Sequence, residues 1–332
     1  MNNYKQLLMV GAGAVCLLFS QITESSAQGG YNAHFIPYSS VTFGGGTSTY
    51  FGDLAGYRQP FKSLFTLPRW NVGLGYTRQF TPRFAARAMF TWARITGDDY
   101  TYNRNDVEDN LVQYARNLHF RNDLKEFAIT GIYNFIADGR NPENRAKITP
   151  YLFGGIALLA HSPEALTPDS AGVAQQWVKL QPLRTEGQGQ PGRDKPYSLV
   201  TVSIPVGIGA RYKLNENFNI GVEIGYRYAF SDYLDDVGEG LYATRDTQQG
   251  IAVIMTDRRF EQVAARPSNH PERYQVLRDL FNNGTPEQKG TIQDALTTQV
   301  RSTKGLLQDG YLLTNFSIQY IIPTKIKCPP IK

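Results

Sequence analysis

Residues Phe218 to Phe230 alternate without a break. Phe218, Ile220, Val222, Ile224, Tyr226, Tyr228 and Phe230 are apolar or aromatic, and Asn219, Gly221, Glu223, Gly225, Arg227 and Ala229 between them are small, polar or charged. Side chains of a β-strand point alternately to the two faces of its sheet, so this segment has one apolar and one hydrophilic face. Aromatics at both ends of the apolar face match a strand that crosses a membrane between two interfacial girdles. A soluble β-sandwich shows the same alternation, with the apolar face packed on a second sheet.

The rest of the chain separates the two. Trp70, Val72, Leu74, Tyr76 and Phe80 repeat the period, as do Phe84, Ala86, Ala88, Phe90 and Trp92 after a tight Thr81-Pro82-Arg83 turn. Phe127, Ile129, Tyr133 and Phe135 share one face, Tyr151 to Leu159 is a more continuous apolar run, and Val200, Val202, Ile204, Val206, Ile208 and Tyr212 alternate again. Leu312, Phe316, Ile318, Tyr320 and Ile322 form the last strand, and a first one around Tyr38 to Gly46 makes eight. Links after the second, fourth and sixth strands are short (Thr81–Arg83, about Ala137–Lys147, Asn215–Asn217), and the others are long. Short turns at one end and long loops at the other are the asymmetry of periplasmic turns and extracellular loops. A sandwich has no reason to lengthen every second link. The expected fold is all-β: an eight-stranded antiparallel transmembrane β-barrel over 28–322, with a long, partly helical last extracellular loop at 231–309. Both termini then lie in the periplasm, at the bacterial outer membrane.

In that last loop Thr285-Pro286-Glu287 reads as a helix start, with Ile292, Ala295, Leu296 and Gln299 following at helical spacing. Tyr274, Val276, Leu277, Leu280 and Phe281 predict a second short amphipathic helix, and the pair is expected to cap the barrel mouth. Gly187, Gly189, Pro191 and Gly192 predict a flexible third loop.

The N-terminus carries Lys5, an apolar run from Leu7 to Phe19, and Ser25-Ser26-Ala27. This reads as a secretory signal peptide over 1–27, too short for a spanning helix. The mature chain keeps one cysteine, Cys328, which excludes an internal disulfide. The net charge of +5 is mild and spread along the chain, and gives no case for nucleic acid.

An eight-stranded barrel has room inside only for side chains. Arg87, Glu126, Arg211, Glu223 and Arg227 fall on the inward positions. Buried charges must pair, so the lumen is expected to be plugged by ion pairs rather than open. Inward glycines, among them Gly207, Gly209 and Gly225, leave room for those side chains.

Asp232, Asp235, Asp236 and Glu239 could attract Ca²⁺, but the EF-hand spacing is absent and they read as a solvated, turn-forming acidic rim. His34, His119, His161 and His270 are scattered without metal-ligand spacing, and no Ser/His/Asp grouping stands out. No catalytic residue, metal ligand or cofactor is therefore assigned. After Ile322 the chain continues through Pro323, Lys325, Lys327 and Cys328. Proline blocks further sheet pairing, so 323–332 is a periplasmic tail, either a disordered end or a cationic docking segment.

Several short stretches resemble one family: Tyr50-Phe51-Gly52-Asp53-Leu54, Thr149-Pro150-Tyr151, Glu186-Gly187-Gln188-Gly189, Ile204-Pro205-Val206-Gly207 and above all Asp232-Tyr233-Leu234-Asp235-Asp236-Val237. In these the chain is similar to the PorG-like outer-membrane barrels of Bacteroidetes, components of the type IX secretion machinery. The resemblance implies a non-enzymatic role: tying a periplasmic ring, built from a PorK-like lipoprotein and its PorN-like partner, to the outer membrane. Neither nucleic acid nor a small-molecule substrate is implied. Topology nominates Arg83, Asn141, Glu143, Arg145, Asn217, Lys325 and Lys327 as contacts for that ring. Arg259 to Lys304 is long and helical for the family. The rival readings are a surface-recognition barrel working through its last loop, and a lipid-modifying outer-membrane enzyme using His119 and His161.

Overall fold

The computed structural model describes residues 35–55, 60–168, 175–238, 240–266, 272–302 and 309–323. The predicted signal peptide, His34, Glu239, His270, Lys325, Lys327 and Cys328 lie outside them.

Ten strands are present among the described residues: β1 (Tyr38–Phe51), β2 (Arg69–Gln79), β3 (Phe84–Asp98), β4 (His119–Asn134), β5 (Ile148–Ala160), β6 (Pro163–Leu166), β7 (Trp177–Lys179), β8 (Val200–Lys213), β9 (Phe218–Ala229) and β10 (Gly310–Ile322). Eight of them close a ring, in the order β3-β2-β1-β10-β9-β8-β5-β4 with β4 pairing back to β3, and every pairing is antiparallel. The short β6 and β7 extend β4 beyond the end of β5. The fold is a closed eight-stranded antiparallel β-barrel.

Alternation sets the two surfaces of the wall. Phe43, Leu74, Phe90, Ile129, Ile156, Ile208 and Phe316 point outward and are exposed, Phe316 at 72%. In a soluble protein a contiguous apolar surface of this size would drive association; around a barrel it has the chemistry of a lipid-facing belt. Aromatic pairs edge the belt at its short-turn side, Phe84 on Tyr133 at 5.1 Å and Phe218 on Tyr320 at 5.3 Å. Trp70 and Trp92, 5.1 Å apart, edge the other side. No described helix is long and apolar enough to cross a membrane.

At the long-loop end the wall rises above the belt. Ile95, Thr96 and Asp98 of β3, and His119 and Phe120 of β4, are buried on both faces because a cap covers them. The cap carries α1 (Pro60–Thr66), α2 (Asp99–Asn103), α3 (Leu111–Arg116), α4 (Ile251–Thr256), α5 (Arg273–Asn283) and α6 (Pro286–Thr297). Thr285 and Gln288 close a reciprocal capping box at the start of α6, satisfying two backbone amides that the helix leaves open. Leu277 of α5 and Ile292 and Ala295 of α6 pack on Tyr100, Leu111 and Tyr114, a small core separate from that beneath it. Phe281, expected on the same apolar face, is exposed instead.

Part of the third loop is packed: Thr185, Glu186 and Gln188 are buried in the cap, while Gly189, Pro191 and Gly192 are exposed. Gly187, Gly189 and Gly192 hold φ of +73°, +83° and +77°, left-handed turns that bulkier residues resist.

Candidate functional site

Three groups of polar side chains divide the molecule along its axis: the lumen, the cap above it, and the short turns below. In the lumen Arg87 forms an ion pair with Glu223, and the Tyr151 hydroxyl donates to the same carboxylate at 2.5 Å. One layer higher Arg227 lies 3.7 Å from Glu126, whose other oxygen accepts from the Tyr311 hydroxyl. Arg211 has a neutral partner, donating to Asn134 Oδ1 at 2.8 Å. The Phe153 ring lies beside Arg87, 5.0 Å from its guanidinium carbon. It also explains Gly207 and Gly225: a Cβ added at either would come within 2.6 or 2.7 Å of that ring. A void of about 20 Å³ bounded by Thr42, Arg87, Tyr151, Arg211 and Glu223 remains, room for roughly one water molecule.

In the cap, the two stretches most specific to the sequence resemblance come together. Glu186 accepts from the Gly238 amide at 3.0 Å and the Tyr233 hydroxyl at 3.2 Å. Asp236 accepts from the Thr185 and Tyr197 hydroxyls, each at 2.6 Å, and from Arg301 at 3.1 Å. Arg301 stands 3.8 Å from Glu186 as well, so one guanidinium serves both carboxylates. The Tyr197 ring stacks on Tyr233 at 4.5 Å and on His161 at 6.2 Å. Asp235 and Asp309 share the Tyr50 hydroxyl, at 2.8 and 2.5 Å, and Asp309 also accepts from the Leu234 amide.

The acidic stretch is therefore not the solvated rim expected. Asp235 and Asp236 are each 1% exposed and Leu234 is fully buried; Asp232 is half-buried. Burial, reinforced by neighbouring carboxylates (Asp309 and Asp53 for Asp235, Asp232 and Asp53 for Asp309), pushes both carboxyls well above the usual range. Among the described residues no group of three or more His, Cys, Asp or Glu side chains is placed to hold a metal. His119 accepts the Leu166 amide through Nε2 at 3.0 Å, a bond that fastens β6 to β4. His161 sits in the ring stack, its pKa lowered to about 4 chiefly by burial, and is neutral at physiological pH.

Glu186 gives the cap a pH dependence. Burial raises its pKa from 4.5 to about 7, against the pull of Arg301. The folded state thus holds a proton that the unfolded state releases, and stability falls as pH rises between about 4.5 and 7. Cap opening, read by hydrogen exchange of the Gly238 amide, is expected to become easier by of order 2 kcal/mol from pH 5 to pH 8. Glu186→Gln should flatten the profile; an unchanged slope would assign the effect to other groups.

At the short turns, Arg83 is exposed and donates to the Phe135 carbonyl at 2.8 Å, bridging two turns. Asn141 is half-buried, and Glu143 and Asn217 are exposed. Arg145 corrects the expectation of a partner contact. It is 6% exposed and donates to the carbonyls of Glu216 and Asn215 and to Asn219 Oδ1, clamping one turn to the next. Sequence patterning missed Arg301 and Tyr197, and also Arg116, whose guanidinium is held by Asp99 at 2.8 and 2.9 Å; Tyr50 entered only through the sequence resemblance. A lone cap arginine has no periodic neighbours to mark it.

Residues 39–181 match the model of a domain of unknown function, DUF6089, which covers β1 to β7 and less than half of the chain. No curated protein matches the sequence significantly. Among solved structures the chain is similar to Neisserial surface protein A, with 9% identity, TM-score 0.35, and coverage of 85% of this chain and 96% of that one. It is also similar to Ail, the attachment invasion locus protein of Yersinia pestis (11%, 0.32, 86% and 99%), and to a major outer membrane protein of Thermus thermophilus (13%, 0.37, 86% and 99%). The barrel rests on its own strand pairings.

Proposed function

We propose that this protein is a bacterial outer-membrane barrel that works without catalysis, as an anchor and assembly component of a protein secretion complex of the type IX kind. The observation that carries this reading is a lumen filled by ion pairs under a packed cap, inside a wall with an apolar belt. Such an object holds a fixed place in a bilayer and leaves little space for transport through itself. The secretion assignment is supported by the sequence resemblance to PorG-like barrels, which implies a ring of PorK-like and PorN-like proteins below. Arg83, Asn141, Glu143 and Asn217 on the short turns, with Lys325 and Lys327, are the proposed contacts. Many copies on one ring would let each contact be weak.

The test is a mild detergent extraction of native membranes, with an affinity tag inserted after Gly192, which is exposed and borders open space. Full-length protein is compared with a chain ending at Ile322. Recovery of periplasmic ring lipoproteins, weakened by truncation, supports anchoring through the tail; undiminished recovery moves the contact to the turns. No periplasmic partner with either chain overturns the secretion assignment.

One observation favours a second reading. The cap has its own hydrophobic core and exposes Phe260 and Phe281, as a surface-recognition module would. If F260S/F281S abolishes cell attachment and leaves secretion intact, the cap is the working part.

A further inference from the structure

The chain has three tryptophans, Trp70, Trp92 and Trp177, and the fold gathers all of them on one outer sector at the cap side of the belt. Trp70 and Trp92 meet edge to face on β2 and β3. Trp177, on β7, lies under the Arg121 guanidinium at 3.9 Å. Indoles at this height are the usual markers of a membrane–water interface.

Cations occupy the Trp92 row and the rows just above it. Register pairs Trp92 with Lys125, Arg94 with Asp123, and Thr96 with Arg121 across β3 and β4, and β6 then sets Glu164 between Arg121 and Lys179. Arg94 is neutralised by Asp123 at 2.5 Å and Arg121 by Glu164 at 2.9 Å. Lys125 and Lys179 are exposed and have no ion-pair partner among the described residues. Two pleat repeats and two strand spacings separate them, roughly 16 Å between Cα atoms. At the same height the β8–β9 wall presents Val200, Val202, Tyr228 and Phe230 on its outer face. The charge is one-sided.

We propose that this sector is a docking surface for a phosphorylated glycolipid of the outer leaflet, a lipopolysaccharide. Its acyl chains lie along Phe90, Trp92 and Phe127, and its headgroup phosphates pair with Lys125 and Lys179. The argument is charge complementarity at the edge of an apolar belt: an unpaired lysine there sits at headgroup depth, where its best counter-ion is a lipid phosphate. The two paired arginines fix the surface without adding net charge. The inference rests on the outer-membrane reading above.

The test uses the full-length protein in detergent, incubated with lipopolysaccharide, the same glycolipid dephosphorylated, phosphatidylethanolamine, or inorganic phosphate, and examined by native mass spectrometry. Wild type is expected to retain about one intact glycolipid per barrel, K125E/K179E at least tenfold less, and K125R/K179R as much as wild type. Heat-modifiable gel migration shows that each variant is folded. Equal retention by wild type and K125E/K179E, equal retention of the dephosphorylated form, or displacement by inorganic phosphate at matched concentration would each overturn the proposal. If wild type inserts into vesicles but binds no glycolipid, the docking surface fails alone. Failure to insert removes the outer-membrane reading with it.

Discussion

Replacing Arg87 by methionine is expected to lower the stability of the barrel by about 3–5 kcal/mol, the cost of leaving a buried partner charge uncompensated. Arg87 and Glu223 are 5% and 9% exposed, and the pair sits midway through the wall with Phe153 beside it. Without the guanidinium, Glu223 retains its bond from Tyr151, one hydroxyl for a carboxylate cut off from water. Removing both partners is a different experiment. Arg87→Met with Glu223→Met deletes the charge as well as its counter-charge, and is expected to cost much less than the single change, because the desolvation penalty leaves with the pair. Urea-unfolding midpoints in detergent, taken as a double-mutant cycle, read the difference. A single substitution costing under about 1 kcal/mol would mean that water reaches Glu223 freely, and the plugged lumen would have to be abandoned.

Replacing Arg301 by alanine is expected to open the cap and spare the barrel. Arg301 binds Thr185, Asp236 and, at longer range, Glu186, so it holds the loop before β8, the segment after β9 and the approach to β10 at one point. Its loss leaves two carboxylates facing each other in a buried site; the destabilisation of the closed cap is about 3–5 kcal/mol. When cleavage tracks the open population, that is a protease sensitivity raised by roughly two to four powers of ten. The new cuts should fall within 230–309 while the heat-modifiable barrel persists. A barrel that unfolds together with the cap would show the two to be one cooperative unit.

The wall was legible in the sequence and the cap was not, for a physical reason. A residue such as Ile220 or Phe316 faces outward while Asn219 or Asn315 beside it faces the lumen, so the two environments write a period of two into the chain. That period ends where both faces are covered. The first strand was expected to end near Gly46 and runs to Phe51; β3 continues to Asp98, and β4 starts at His119. Under the cap, Thr96, Gly97 and Asp98 are all buried, and alternation has nothing to distinguish. The α6 start was readable at Thr285-Pro286 because a capping box is local. The acidic stretch was misread for the opposite reason. What buries Asp235 comes from Tyr50, 185 residues away, and what neutralises Asp236 comes from Arg301, 65 residues away.

The seam between β1 and β10 joins the first strand of the wall to the last. Every other neighbouring pair in the wall follows the chain, whereas Tyr50 meets Tyr311 and Phe51 meets Gly310 only when the two ends of the barrel zip together. Tyr50 then reaches Asp235 and Asp309, and Arg116 reaches the carbonyls of Asp53 and Arg301. The Tyr50–Asp309 bond joins residues 259 apart in the chain, a contact with a large loop-closure cost. The cap is thus fastened across the seam as well as along the chain. Antibodies or proteases that distinguish the closed cap from open loops would therefore report on barrels whose seam is formed.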